Sequence, residues 1–373
     1  MKTRNKVEQS KLRLTLIAIA CMFVFLVVMF SLKSYPYFIE RYYSNGVYIL
    51  IRKGFQFLFN YVPFSVGDVL YIIIIILLVT GLFQLVRLLI RKQLADAGFL
   101  FLRFILKLEI AIAAFYILWA LNYFRQPAIE RLELQDYAYD VTQLVTVTSM
   151  LIDSANVSRL SLRSRDFNPS HQEILDPAIQ AVSRLSFFDP SLIAIKPMAK
   201  KSLLSPLLNY IGTAGYYNPY TGEAQFNSLM PVFTQSFVAC HEMAHQMGFG
   251  AEDEANFAGF IAGKSSDNKL LKYSAYYLAA QEFMNEVWRT DSTAFRQMKE
   301  RISPAVIKDL ETERQYWTKY QGGAARLSSI LYDNYLKANK QPGGLKTYNR
   351  MIKLSMAYYR KKGLLRRASS QGQ

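Results

Sequence analysis

The residues with the plainest chemical meaning are His241, Glu242 and His245, in the run His241-Glu242-Met243-Ala244-His245. On a helix, residues four apart share a face, so both imidazoles can address one ion. Glu242 is turned about a hundred degrees from His241, which sets its carboxylate beside the ion and outside its ligand set. The ion this pattern suits is one zinc, which a catalytic site holds through three protein ligands with a fourth position left for water. Zinc lowers the pKa of that water toward neutrality, and the neighbouring carboxylate can take its proton as general base. The HExxH pattern also arises by chance on ordinary helices. Here the chain has only three histidines, and two of them lie in the motif. The other, His171, sits in a polar stretch and reads as solvated.

A third ligand must come from nearby. Gly248 and Gly250 signal a turn after the motif, and the next segment, Glu252-Asp253-Glu254-Ala255-Asn256-Phe257, reads as a helix with an acidic start. Two acids compete, Glu252 and Glu254. Glu252 shares a helix face with Asn256, whereas Glu254 faces elsewhere. The Glu252/Asn256 pair resembles the ExxxD or ExxAN helix of thermolysin-like (gluzincin) peptidases. That resemblance implies Glu252 as the third zinc ligand and Asn256 as a hydrogen-bond support for a ligand histidine. An acidic helix start favoured by the helix dipole reads the same way. The opening through Gly248 also resembles metzincins, but their third histidine falls at Ala251. Further along, the run from Lys272 to Tyr277 offers Tyr273 as a hydroxyl donor to the oxyanion of a tetrahedral intermediate.

These residues need a scaffold, and composition describes its class. The chain has 373 residues, a net charge of +16 and 51% hydrophobic residues. The apolar residues concentrate in the first 122 positions, which points to a membrane protein. No nucleic-acid motif accompanies the basic charge, and lipid headgroups are the simpler partner. Cys21 and Cys240 give no disulfide framework. Three spans are expected, at about 14–32, 69–86 and 99–123, the last interrupted by Arg103, Lys107 and Glu109. Lys and Arg are denser at the N-terminus and around 87–107 than in the 33–67 loop, which favours a cytoplasmic N-terminus. In a bacterial inner membrane the rest of the chain is then periplasmic. The expected division is a membrane anchor over 1–123, a mainly α, α+β zincin-like domain over 124–345, and a basic C-terminal helix and tail over 346–373.

Within the second part, 135–185 reads as helical, and Ser191–Lys196 and Glu223–Leu229 as strands. A strand just before an HExxH helix has a use in zincins, where an edge strand pairs with the extended substrate. From Phe283 on the pattern is helical, broken at Gly322-Gly323 and at Pro342-Gly343-Gly344.

The chain as a whole resembles a bacterial membrane-protein family of unknown function, DUF3810. The resemblance rests on Pro63–Asp68, on Trp119 with Asn122, Tyr123 and Arg125, on Thr221–Asn227, His241–Gly248, Glu252–Phe257 and Tyr335–Gly344. It implies membrane anchoring and a zincin-like motif, with no substrate. The chemistry of the motif leads to a membrane-anchored zinc peptidase acting on a peptide or protein outside the cytoplasm. The other reading is a non-catalytic envelope protein that uses a zincin-like core as an interaction module. A protease acting within the bilayer fits poorly, because polar, Gly-rich sequence flanks the motif.

Overall fold

The computed structural model describes residues 2–134, 138–189, 192–339, 341 and 349–363. The expected break at Pro342–Gly344 and the basic tail from Leu364 on lie outside the described residues. The chain is mainly helical and divides into two compact units, Met1–Ile51 with Val66–Arg125 and Pro219–Thr221, and Arg52–Ser65 with Gln126–Asn218 and Gly222–Gln373. In order, the helices of the first stretch are α1 (Lys2–Ser31), α2 (Pro36–Phe38), α3 (Tyr48–Phe59), α4 (Val66–Ile90) and α5 (Leu94–Leu118). There follow α6 (Ala128–Arg131), α7 (Val141–Leu160), α8 (His171–Ser183), β1 (Ala199–Lys201), α9 (Ser205–Tyr210), β2 (Gly215–Asn218) and β3 (Glu223–Phe226). The chain then runs through α10 (Val232–Gln246), α11 (Glu252–Lys264), α12 (Lys269–Thr290), α13 (Ser292–Glu300), α14 (Pro304–Thr318), α15 (Gly323–Ala338) and α16 (Asn349–Lys361).

In the first unit α5 packs against both α1 and α4. Among the described residues, two helical segments are long and apolar enough to cross a membrane, Gln9–Ser34 and Val66–Ile90, each with a mean hydropathy of 2.8. The third expected span, α5, has 25 residues, as many as α4, but Asp96, Arg103, Lys107 and Glu109 make it too polar for that description. A polar knot lies beside these helices. Arg125 donates to both oxygens of Glu40, at 2.7 and 2.6 Å, and Ser44 donates to Asn122 at 2.9 Å. Both charges are buried and paired, which keeps their desolvation tolerable.

The second unit is built around α10, which packs against α8, α11, α12 and β3. Thirteen of its fifteen residues are buried, so this is a central helix and not a surface one. Capping boxes start α7 (Asp140 with Gln143) and α8 (Ser170 with Glu173), satisfying N–H groups that a helix start leaves without partners. α16 packs on α11 and α12 and buries Met351, Ile352 and Met356 in the same core. It therefore belongs to this core, in contrast to the appended helix and tail expected beyond 346.

The sheet is small, with order β1-β3-β2, β1 parallel and β2 antiparallel to β3. A strand is expected at 191–196. Its described residues, 192–196, carry no strand, and the chain first pairs at Ala199. The strand at Glu223 is real but central and buried at every position. It cannot be the substrate edge the sequence suggested, because partners occupy both its sides. The edge strand beside it is β2. Lys200 of β1 donates to Glu223 at 2.6 Å and to the Phe59 and Phe64 carbonyls at 2.8 and 3.0 Å. That buried ammonium fastens the 52–65 segment to the sheet.

Candidate metal centre

The HExxH residues lie in the last turns of α10, as the i, i+4 pattern requires. What ends the helix also orients the second histidine. Gly248 adopts φ 85°, a left-handed conformation that costs an L side chain roughly 1 kcal/mol or more. The reversal brings the Phe249 carbonyl to 2.6 Å from His245 Nδ1. Gln246 anchors the same end, donating to the carbonyls of Met198 and Gly222 at 2.8 and 3.0 Å. α11 then starts at Glu252 and returns along α10, so that Asn256 Oδ1 lies 2.8 Å from His241 Nδ1.

These contacts determine the tautomers. A carbonyl oxygen only accepts, so His245 carries its proton on Nδ1. The Asn256 oxygen asks the same of His241. Each Nε2 is then left with a lone pair, and the two Nε2 atoms face each other at 3.2 Å. Glu252 adds its carboxylate, with Oε2 3.2 Å from His241 Nε2 and Oε1 3.6 Å from His245 Nε2. One ligand atom from each of the three residues lies within 4.8 Å of the others. With both imidazoles neutral, three acceptors converge, an arrangement able to hold a metal ion or a proton.

The protonation equilibria of the metal-free cluster carry the same strain. Burial opposes charge on His241, but its hydrogen bond to Glu252 and the charges of Glu242 and Glu252 outweigh this and push it up to about 9. Burial lowers His245 to about 4, against the pull of Glu252. Burial pushes against the Glu252 carboxylate, yet both histidines and Tyr332 hold it down at about 2. Burial raises Glu242 to about 8, with Glu252 adding repulsion and His241 opposing. One proton thus does part of the work of a metal ion, shared between His241 and Glu252.

The two competing acids separate cleanly. Glu254 turns away, accepting from the Ala128 N–H at 2.6 Å and pairing with Arg131 at 2.8 Å. It caps α6 and is no ligand candidate. Tyr273 does not reach the cluster either. It is fully buried and its hydroxyl donates to Asp309 at 2.6 Å, which also binds Arg159. The hydroxyl expected to assist catalysis is thus committed to a structural ion pair. The tyrosine that does join the centre is Tyr332 of α15, which donates to Glu252 Oε1 at 2.7 Å. Gln341 Oε1 accepts from the Glu252 N–H at 3.3 Å. Neither residue carries a sequence signal, since both are brought in from eighty or more positions away.

Glu242 is buried beside His241, on the side facing β2. A Cβ on Gly215 would come within 2.8 Å of Glu242 Oε1 and 2.7 Å of the Gln225 carbonyl. The glycine is therefore what allows an edge strand to run against the carboxylate. A glycine within a strand has no local sequence pattern, so only the structure gives Gly215 this role.

A family described as "Protein of unknown function (DUF3810)" matches residues 43–356. No curated protein and no solved structure matches the chain.

Proposed function

The chain belongs to the DUF3810 family, and from that premise we propose that it is a membrane-anchored, zinc-dependent peptidase. The observation that carries the reading is the convergence of His241 Nε2, His245 Nε2 and Glu252, with both histidine Nδ1 atoms already engaged. The donor set, two neutral nitrogens and one carboxylate, fits zinc in a catalytic site with one position open. Zinc would supply Lewis acidity and an acidified water. The rest is done by the chain. Asn256 and the Phe249 carbonyl fix the imidazole tautomers. Tyr332 and Gln341 hold Glu252. Glu242 accepts the proton of the attacking water and passes it to the leaving amine. β2 presents an edge against Glu242 along which an extended peptide can be laid as a further strand.

In the same proposal α5 is a third span, packed between α1 and α4. The N-terminus is then cytoplasmic and the catalytic unit extracytoplasmic, in the periplasm of a bacterium.

The test uses the full-length protein in nanodiscs, with zinc measured by elemental analysis and peptide-library cleavage followed by mass spectrometry. Wild type is expected to carry one zinc and to cleave. Glu242→Gln is expected to keep the zinc and to lose cleavage by roughly 100- to 10,000-fold. Cleavage undiminished in that variant would reject Glu242 as the base. A zinc-loaded wild type that cleaves nothing in the library would favour the non-catalytic module.

A further inference from the structure

The helix that brings Tyr332 to the centre has a second face. α15 turns Ala325, Tyr332 and Leu336 inward, and Leu336 is buried. Leu327, Ile330 and Leu331 fall on the opposite side at i, i+3 and i+4. They are 58, 53 and 61% exposed. The short helix α9 does the same. It buries Ser205, Leu208 and Asn209 and leaves Leu207 and Tyr210 exposed. The C-terminal end of α9 lies near the start of α15, where Tyr210 meets the Tyr320 ring at 5.3 Å between centroids and a Cβ on Gly212 would touch Ala325 at 4.0 Å. An exposed apolar helix face such as that of Leu327, Ile330 and Leu331 marks an interaction surface.

The occupant is identified by the flanks and by the rest of the chain. Arg326 and Lys337 border the apolar stripe on one side and Lys319 precedes it, all three exposed. Asp333, the acid of that flank, is paired with Lys337 at 2.5 Å. An apolar helix face with tyrosine and basic residues at its margin is the composition of a helix lying in a membrane interface. The same chain carries two segments able to cross a bilayer, so a lipid surface is at hand. We propose that the outer face of α15, together with α9, docks on a bilayer surface bearing anionic headgroups. The leucines enter the headgroup–acyl boundary and Arg326 and Lys319 pair with phosphate. This does not depend on catalysis or on the metal.

The test uses the full chain in nanodiscs in a Cys21→Ser background, with the buried Cys240 retained. A fluorophore is attached through Leu331→Cys, Leu207→Cys or, as a control on an exposed part of α13, Gln297→Cys. Spin-labelled lipid is the quencher, in neutral phosphatidylcholine or with added phosphatidylglycerol. Quenching at 331 and at 207 is expected to exceed that at 297 by about twofold or more. It should rise with the anionic fraction and fall in Arg326→Glu/Lys319→Glu. Equal quenching at all three positions would overturn the proposal. So would a blue shift at 331 and 207 without lipid quenching, which would assign the face to a second copy or a protein partner.

Discussion

Two buried clusters of ionisable side chains lie in the second unit, and they are built on opposite principles. Around Asp309 every charge is answered. Arg159 donates to both its oxygens and Tyr273 donates to it as well, while Tyr277 and Gln281 donate to Glu313 at 2.7 and 3.3 Å. Around His241 the donors are spent outward, on Asn256 and Phe249, and the acceptors face inward. The first cluster is complete as it stands and serves stability. The second leaves room for a cation, which in the proposed function is zinc. A deficit of donors, more than the presence of ionisable residues, distinguishes a site from a structural network.

Removing one partner from the complete cluster should have the largest effect. Asp309→Ala strands the Arg159 guanidinium and should lower stability by about 3–5 kcal/mol, read as a fall in the thermal midpoint, with zinc content per folded chain unchanged. If the thermal midpoint holds, Asp309 is not the keystone described here. His245→Ala should act the other way round. It abolishes zinc uptake, and with it the roughly 3–4 kcal/mol that zinc at a hundred to a thousand times its Kd adds. Zinc should then no longer raise the midpoint, although metal-free stability stays within the range of an ordinary truncation. A midpoint that still rises with zinc would place the ion elsewhere.

A pH series sharpens the contrast. His241 is raised to about 9 and His245 lowered to about 4, so near neutrality the metal-free cluster holds one proton on the imidazoles and not two. Zinc must displace it. Apparent affinity should rise about tenfold per unit from about pH 7 to about pH 9 and then level off. A slope near two, or none, would contradict a single displaceable proton on His241. The smallest effect is expected from Tyr332→Phe, which removes the donor to Glu252 and should weaken zinc binding roughly tenfold without reducing content at saturation. An unchanged affinity would make Tyr332 a bystander.

Legibility followed the range of the interaction. The HExxH pair, the turn at Gly248 and two strongly apolar helices are readable, because each depends on neighbours within about one or two helical turns, and Asn256 is marked by its i, i+4 spacing from Glu252 and the gluzincin resemblance. Tyr273 was misread because the type of a residue says nothing about which hydroxyl acceptor its helix will meet. The strand at Glu223 was recognised, but a strand pattern does not reveal how many partners it gains. The segment 349–361 looked like a basic appendage from its charge, yet the helix there buries methionines and leucine in the core.

What the sequence alone determined is therefore local. The i, i+4 periodicity puts two imidazoles and a carboxylate on adjoining faces of one helix whatever surrounds it. The choice of Glu252 over Glu254, the arrival of Tyr332 and Gln341, and the approach of Gly215 to Glu242 were decided by tertiary structure. These depend on how α6, α15 and β2 pack against the α10–α11 pair. Residues so far apart in the chain meet only because burying apolar surface brings their elements together, and no spacing in the sequence encodes that meeting.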